Sequence, residues 1–205
     1  MTRPLPALIL ALSVFASGCV PPPPPPIDEA AYPWELRPAS TWPREVLLRQ
    51  RVEARASGGT NAFDAILQHR QGVLTLIGLT PFGARAFVLE QRDLEVSFRS
   101  SMDRPAPFPP KFMLIDIQRV FFPIRPEATL PDGEHELELG GERVTERWRS
   151  GRLERRTFER LDSAKKGAIV IEYDDWRGDL PFSVRLKNPW FGYEMSVTTL
   201  EATAL

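Results

Sequence analysis

Short runs in which apolar and polar residues alternate occupy most of the chain after Val46. The cleanest runs are 93–99, 180–187 and 191–198, and less regular ones are 46–56, 61–69, 84–91, 142–149, 152–160 and 168–174. A period of two is typical of a strand with one buried and one solvent-facing side. Glycine-containing turns such as Gln71-Gly72 and Ser150-Gly151 separate the runs. The pattern predicts about ten short antiparallel strands that curl into a barrel or a half-barrel.

One strand and one helix depart from this alternation. Val73–Leu79 is apolar on both faces, so we expect both faces of that strand to be covered. Residues 111–122 are apolar almost all round, with Asp116, Gln118 and Arg119 as the main polar positions, and prolines bound them on both sides. Because proline is tolerated at a helix start and cannot continue a helix, residues 111–122 are predicted to be helical. A helix in the mouth of a curved sheet would bury its own apolar surface and would also cover the second face of the strand.

The first 18 residues are predicted to be an export signal. Arg3 supplies a positive start, Leu8–Phe15 a short apolar core, and small residues precede Cys19. The apolar core is shorter than the roughly 20 residues that a membrane-spanning helix needs. Ala16-Ser17-Gly18-Cys19 resembles the lipobox of bacterial lipoproteins, and Cys19 is the only cysteine. The resemblance implies cleavage before Cys19 and a covalent diacylglycerol and N-acyl chain on it, with no other cofactor. An ordinary secretion signal with a chance cysteine is the alternative.

Residues 19–44 are predicted to form a linker and residues 45–205 the folded domain. Pro21–Pro26 is a run of prolines, which adopts an extended helix with a rise of about 3.1 Å per residue. We interpret it as a stiff spacer that lifts the domain off the membrane, and a docking motif for a partner is the alternative. Residues 27–43 are expected to continue the linker, with a short helix against the domain. One cysteine permits no disulfide, so the core must provide the stability.

The charge balance argues against nucleic-acid binding. Removal of the signal peptide takes away only Arg3, which leaves 25 basic residues against 27 acidic ones and a net charge of −2. We expect no enzyme, because the chain lacks a Gly-x-Ser-x-Gly elbow and has only two histidines. His69 ends a predicted strand and is expected at the surface. Glu134, His135 and Glu136 alternate in direction along a strand and cannot converge on a metal, so no catalytic or metal-binding residue is predicted.

Arginine outnumbers lysine by 22 to 4, and many arginines fall on two neighbouring predicted strands, interleaved with glutamates. One interpretation is an electropositive patch for lipid phosphates or for a partner. The other is a solvated sheet face with cross-strand ion pairs, which the interleaved acids favour. The residues are Arg143, Arg147, Arg149, Arg152, Arg155, Arg156 and Arg160, with Glu142, Glu146, Glu154 and Glu159.

Three stretches of the chain resemble the LolA/LolB-like family, whose members handle lipoproteins between bacterial membranes. They are the hairpin 72–96 with its Pro-apolar-Gly loop, the proline-bounded helix 108–123, and the closing strands from 141 to 200, which end in GYEMSVTTL. The resemblance covers roughly residues 45–202 and looks closest to uncharacterised LolB-like lipoproteins. It implies a mainly β (α+β) fold, an antiparallel half-open barrel with a helix lid over an apolar cavity that holds acyl chains.

The same resemblance implies roles for particular residues. Pro81, Phe82 and Gly83 match the loop that exposes one large apolar side chain and is implicated in passing cargo into the membrane. A turn in which Phe82 folds back onto the core is the alternative. Candidate cavity residues, each of which could equally be plain core, are Leu74, Leu76, Phe87, Leu89, Leu94, Val96, Phe98, Phe112, Leu114, Ile115, Phe121, Trp148, Ile171, Phe182, Tyr193 and Met195.

We therefore expect a non-enzymatic, monomeric outer-membrane lipoprotein that faces the periplasm and binds the acyl chains of lipids or lipoproteins. The expected partners are the membrane, an acyl lipid or lipoprotein cargo, and a periplasmic carrier or an export complex. The alternative is an assembly lipoprotein on the same fold, with a cavity filled by its own side chains. Val20 is not the aspartate that retains lipoproteins in the inner membrane of enteric bacteria, which favours the outer membrane.

Overall fold

The structure is a computed structural model that describes residues 35–56, 59–101, 109–125, 129–162 and 166–205. The predicted signal peptide, Cys19 and the proline run lie outside the described residues. Within them, one sheet contains every strand, and its order is β5-β4-β3-β2-β1-β11-β10-β9-β8-β7-β6. The strands are β1 (Val46–Ala56), β2 (Gly59–Arg70), β3 (Val73–Leu79), β4 (Arg85–Arg92), β5 (Glu95–Ser100), β6 (Gly133–Leu139), β7 (Glu142–Arg149), β8 (Arg152–Arg160), β9 (Ala168–Arg177), β10 (Leu180–Asn188) and β11 (Tyr193–Ala204).

The alternating runs became strands, and every pair of neighbours is antiparallel. Strand β3 was predicted from its apolar run, whereas β6 was not among the predicted runs, although its sequence GEHELEL alternates glutamates with histidine and leucine. Strand β6 lies at one edge of the sheet and β5 at the other. Gln71 and Asp93 have positive φ angles of 50° and 52°, as tight hairpin turns require.

The predicted helix is present as α1 (Pro110–Phe121). Pro110 occupies its first turn, where a missing N–H costs nothing, and Phe122 N donates to Gln118 O (2.9 Å) to close the last turn. Pro123 follows directly and cannot extend the helix. The proline boundaries thus predicted the helix to within one residue at each end.

The sheet wraps around α1. The Gln118 side chain contacts Gln91 on β4, and the next helical residue, Arg119, contacts Glu142 on β7. In a flat sheet these two strands would be eight strand spacings apart, about 38 Å at roughly 4.8 Å per spacing. Adjacent residues of one helix can reach both only if the sheet is strongly curved. The half-open barrel with a helix over its concave face is therefore confirmed.

The segment before β1 belongs to the core, although it was predicted as linker. Leu36, Ala39 and Trp42 are buried members of the main hydrophobic cluster. The Trp42 ring packs against Phe121 and Phe122 with centroids 5.7 and 5.4 Å away. The short helix expected there is a single 3-10 turn at residues 39–41. The linker boundary at residue 44 is too late, because these apolar side chains are part of the hydrophobic core.

The two faces of strand β3 are covered to different extents. Leu74 and Leu76 are buried on the face of the sheet that α1 covers. Val73, Ile77 and Leu79 on the other face are half-buried. Both faces are therefore covered, and the outer face of β3 keeps partial contact with solvent.

Candidate functional site

All three main polar residues of α1 are buried, and distant parts of the chain provide their partners. Gln118 Oε1 accepts a hydrogen bond from Arg37 N (2.9 Å), and its Nε2 donates to Arg37 O (2.8 Å) and to Gln91 Oε1 (3.0 Å). The amide therefore ties the N-terminal segment to the helix and to β4. Burial lowers the pKa of Arg37, and the nearby Arg156 charge lowers it further.

Arg119 forms a fully buried ion pair with Glu142. Its Nη2 lies 2.7 and 3.0 Å from the two carboxylate oxygens, and its guanidinium lies 4.8 Å from the Phe158 ring centre. Burial raises the pKa of Glu142, and the Arg119 charge opposes that shift. Beside this pair, Tyr193 donates a hydrogen bond to Asp116. The contacts fix the helix in one register on the sheet.

The last carbonyls of α1, which have no partner within the helix, accept hydrogen bonds from strand side chains. Arg156 Nη1 donates to Arg119 O (2.5 Å) and to Phe122 O (3.3 Å). Tyr173 Oη donates to Val120 O (3.0 Å), and burial raises the pKa of Tyr173 to about 12. The end of the helix is therefore fixed against the sheet.

The arginine-rich strands divide between the two faces of the sheet. On the outer face, Arg147 and Arg149 both approach Glu154, at 3.3 and 3.4 Å. Such pairs support the interpretation as a solvated face with ion pairs. On the inner face, Arg156 and Glu146 form a buried pair at 2.7 Å, which the sequence interpretation did not foresee.

A cleft of about 610 Å³ opens at the end of the half-barrel where α1 stops. Its walls are the helix end with its following loop, the β7–β8 turn, the β9–β10 turn and the segment before β1. The hydrophobic part of the lining includes Trp42, Val120, Phe121, Phe122, Pro123, Ile124, Trp148, Leu153, Trp176, Leu180 and Pro181. Arg44 and Asp179 pair at the mouth, and the hydrogen bond from Arg44 lowers the pKa of Asp179.

Most of the predicted cavity residues pack in the core beneath the helix. Those that are buried in the main cluster are Leu74, Leu76, Phe87, Leu89, Phe112, Leu114, Ile115, Ile171 and Tyr193, and those partly buried against it are Phe98, Phe121, Trp148 and Met195. Only Phe121 and Trp148 of this set line the cleft. The open space therefore lies at one end of the helix, and side chains fill the space under it.

Three cavity candidates lie outside the main hydrophobic cluster. Leu94 is 56 % exposed and Val96 is 38 % exposed, because Leu94 lies in a hairpin turn and β5 is an edge strand. Neither belongs to the core, although the strand register pairs Val96 with the buried Gln91 on the inner face of the sheet. Phe182 is buried but outside the main cluster, at a bulge in β10, where the Arg177 guanidinium lies 4.2 Å from its ring centre.

The loop between β3 and β4 presents Phe82 to solvent, with 96 % of the side chain exposed. The alternative in which Phe82 folds back onto the core is therefore wrong. Two backbone hydrogen bonds fix the loop, from Gly83 N to Thr80 O (2.9 Å) and from Thr80 N to Ala84 O (2.8 Å). Gly83 has a φ of 78°, as expected where a type I turn continues into a left-handed residue. The strand pairing places this loop at the end of the sheet opposite the cleft.

His69 is buried, and its expected surface position is wrong. Its ring stacks on Trp42 with centroids 5.5 Å apart, and its Nδ1 lies 2.5 Å from Arg44 O. His135 lies on β6, with Nε2 2.9 Å from Pro131 O. Within the described ranges, no group of three His, Cys, Asp or Glu side chains could hold a metal ion. In the same ranges, no helix has the length and hydrophobicity of a membrane span.

Sequence reasoning missed the residues that form most of the cleft. Ile124 follows the helix, and Trp176 and Leu180 flank the β9–β10 turn. The available signal was the position of large apolar side chains beside turns, where exposed polar residues are usual. That signal does not reveal that three separate turns meet at the same end of the sheet.

The chain is similar to several solved structures at low sequence identity. A LolA superfamily protein from Nitrosomonas europaea is 7 % identical, with a TM-score of 0.46 over 82 % of this chain and 94 % of its own. A domain assigned to outer membrane lipoprotein sorting from Vibrio parahaemolyticus is 11 % identical, with a TM-score of 0.48 over 78 % and 85 %. A DUF1329 family protein from Desulfovibrio piger is 12 % identical, with a TM-score of 0.44 over 82 % and 93 %.

No curated protein sequence matches the chain significantly. The closer resemblance to LolB-like lipoproteins stays a prediction. A family model matches residues 47–201, from the second residue of β1 to near the end of β11. The chain therefore belongs to DUF3261, a family described as proteins of unknown function.

Proposed function

We propose that the protein is a non-enzymatic lipoprotein of the bacterial envelope that binds an acyl chain, alone or as part of a lipoprotein, in the cleft at the end of α1. The observation that carries this proposal is the open, largely apolar cleft of about 610 Å³. That volume falls within the range of small-molecule sites, roughly 300–1,000 Å³. Accessible apolar walls in a folded protein are typical of a binding site.

The physical reason for such a site is the cost of exposing an acyl chain to water. Each methylene that moves from water to an apolar wall gains about 0.8 kcal/mol. Trp148, Ile124 and Leu180 line the cleft and are only half-buried, so they can receive a chain without disrupting the main core. A partly open wall also allows release, which a carrier needs.

The position of the cleft suits a membrane-tethered protein. Residues 42–44 line it, and Arg37 near the start of the described chain donates a hydrogen bond to the cleft residue Pro123 (2.8 Å), so the described chain begins at the same end. Between Cys19 and Glu35, 16 peptide units can span at most about 55 Å. On the proposal that Cys19 carries the lipid anchor in the outer membrane, the cleft stays within that reach of the bilayer.

Phe82 is the proposed contact with a membrane or with cargo at the other end of the sheet. A rigid turn holds an aromatic ring that is almost fully exposed, and insertion of that ring in a bilayer would bury its apolar surface. Because β3 spans about 23 Å between the two ends at roughly 3.3 Å per residue, the loop and the cleft act as separate sites in this proposal.

A second candidate function is an assembly lipoprotein that binds no lipid. The packed interior favours it, because Leu74, Leu114 and Ile171 leave no solvent-accessible space around themselves beneath the helix. The two candidates differ in whether the cleft at the helix end takes up an acyl chain.

Native mass spectrometry with lipid extraction tests the proposal. The protein would be the whole chain after the signal peptide, with Cys19→Ser, purified from a bacterial periplasm. We expect co-purifying or added acyl lipid on this protein, lost in Ile124→Glu and retained in Leu161→Glu, which places the same charge on an exposed apolar residue outside the cleft. A lipid-free mass that does not change when fatty acid or lipopeptide is added would refute the carrier proposal and favour the assembly role.

A further inference from the structure

The cleft contains more positive charge than its own carboxylates neutralise. Four arginines and two carboxylates line it, so the lining has a net charge of +2. The charged residues are Arg44, Arg125, Arg152, Arg156, Glu146 and Asp179. An excess of this kind beside an apolar wall indicates a ligand that is both apolar and anionic.

Two of the four arginines are matched by the two carboxylates. Arg156 Nε and Nη2 lie 2.9 and 2.7 Å from Glu146 Oε1, on the inner face of the sheet. Arg44 pairs with both oxygens of Asp179 at the mouth. These pairs account for both negative charges of the lining.

The other two arginines, Arg125 and Arg152, keep unused hydrogen-bond donors. Arg152 is exposed and donates Nη1 to the Trp176 carbonyl oxygen (3.0 Å). Among the described residues, no carboxylate oxygen lies within 4.0 Å of its guanidinium. Arg125 donates Nη2 to Glu136 O (2.7 Å), while its Nε is buried without a hydrogen-bond partner, 3.7 Å from Glu146 Oε2.

A buried donor without a partner is rare in folded proteins and calls for an explanation. Here the donor belongs to a residue of the cleft wall, and the Arg125 side chain as a whole keeps 23 % of its surface exposed. Guanidinium groups present several N–H donors in a planar fork that matches phosphate and carboxylate oxygens. The side chains of Trp148 and Trp176 provide apolar wall in the same cleft.

We infer that the cleft is selective for an anionic amphiphile, whose phosphate or carboxylate head is bound by Arg125 and Arg152 while its acyl chain lies against the apolar wall. This inference rests on the proposed acyl-chain binding and adds the chemistry of the head group. Charge-assisted hydrogen bonds are about twice as strong as neutral ones, so the head should contribute clearly to affinity.

Titration with ligands that share one acyl chain tests the inference. The protein is the whole mature chain with Cys19→Ser, and the tryptophan fluorescence of the cleft reports binding. The ligands are a lysophosphatidic acid, a fatty acid, a lysophosphatidylcholine and a monoacylglycerol, with inorganic phosphate as the anion without a chain. We expect the two anionic amphiphiles to bind at least about tenfold more tightly than the zwitterionic and neutral ones, and phosphate alone to bind far more weakly.

Arg152→Gln should reduce the preference for anionic over zwitterionic and neutral amphiphiles to about twofold or less. Arg125→Gln should act in the same direction. Arg149→Gln is the matched control, because Arg149 lies on the same hairpin, pairs with Glu154 and does not line the cleft. Arg152 is exposed, so its substitution should leave thermal unfolding unchanged.

Equal affinity for all four amphiphiles would overturn the inference and leave the proposed acyl-chain binding intact. Binding of inorganic phosphate as tight as that of the anionic amphiphiles would also overturn it, since the site would then be one for free anions. No binding of any amphiphile would overturn both the inference and the proposed function.

Discussion

Replacement of Arg119 by methionine should destabilise the protein far more than loss of a surface ion pair. Neither Arg119 nor Glu142 is exposed, and two charge-assisted hydrogen bonds of 2.7 and 3.0 Å join them. Methionine fills similar space but leaves the Glu142 carboxylate buried without its main counter-charge. Removal of one partner of such a pair costs about 3–5 kcal/mol. For a domain of this size, that loss lowers the melting temperature by about 6–20 °C.

The pH dependence of the stability loss in Arg119→Met identifies the cause of that loss. Burial raises the folded-state pKa of Glu142, and Arg119 opposes the shift, so Arg119→Met should raise that pKa further. A carboxyl with a raised folded pKa favours folding below its unfolded pKa, near about 4.3, and this contribution is lost as pH rises through the folded value. The deficit of Arg119→Met should therefore be large at neutral pH and smaller at acidic pH, where Glu142 is protonated.

Thermal unfolding followed by circular dichroism, at neutral and at acidic pH, measures both effects. The double variant Arg119→Met/Glu142→Leu removes both charges, and we expect it to recover most of the stability at neutral pH. If the single and double variants melt at the same temperature, and the deficit does not change with pH, the loss is one of packing and the electrostatic reasoning is refuted.

Three further changes test other parts of the structure. Gly78→Ala would place its Cβ 2.1 Å from Phe87 Cε1, so the free energy of unfolding should fall by about 1–3 kcal/mol. Addition of Phe87→Leu should restore part of that loss. An unchanged denaturation midpoint for Gly78→Ala would contradict this contact. Phe82→Glu should weaken sedimentation with lipid vesicles without a change in melting temperature, while Leu94→Glu at the opposite end should not; equal effects would show that Phe82 has no special role. Tyr173, one of three tyrosines, should ionise near pH 12 in the folded protein and near about 10 in urea. The free energy of unfolding should therefore fall as pH rises between these values. A titration of tyrosinate absorbance with a single step at about 10 would contradict the burial of Tyr173.

The regular part of the fold was predictable from the sequence because its signals are local. Alternation marks a strand whose two faces meet different surroundings, and β10 and β11 followed it closely. Proline fixes the ends of α1, since it lacks the N–H that would continue a helix. Neither inference needs knowledge of which strands are neighbours.

The polar residues of the helix could not be interpreted from local sequence. Gln118 and Arg119 are adjacent in the chain, yet one contacts β4 and the other β7. Polar side chains on a helix usually mark its solvent face. Here the curled sheet supplies buried partners on both sides, and the curl is a consequence of strand order across the whole chain.

The candidate site shows the same limit. The family resemblance implied an exposed Phe82, and the loop does expose it, while its role in binding stays a prediction. The cleft was expected beneath the helix, where apolar residues are concentrated, but those residues fill the space with their own volume. The open space lies between the end of the helix and the β7–β8 and β9–β10 turns. No local sequence pattern predicts that these elements lie next to one another.

Site-resolved photo-crosslinking tests the central claim most directly. A fatty acid with a photoreactive group in its chain would be bound to the mature protein with Cys19→Ser, activated by light, and mapped by mass spectrometry. We predict crosslinks to residues 120–125, 148–153 and 176–181, which excess unlabelled fatty acid and Ile124→Glu remove. Crosslinks confined to the Phe82 loop, or scattered over the outer face of the sheet, would contradict the claim that the cleft binds the acyl chain.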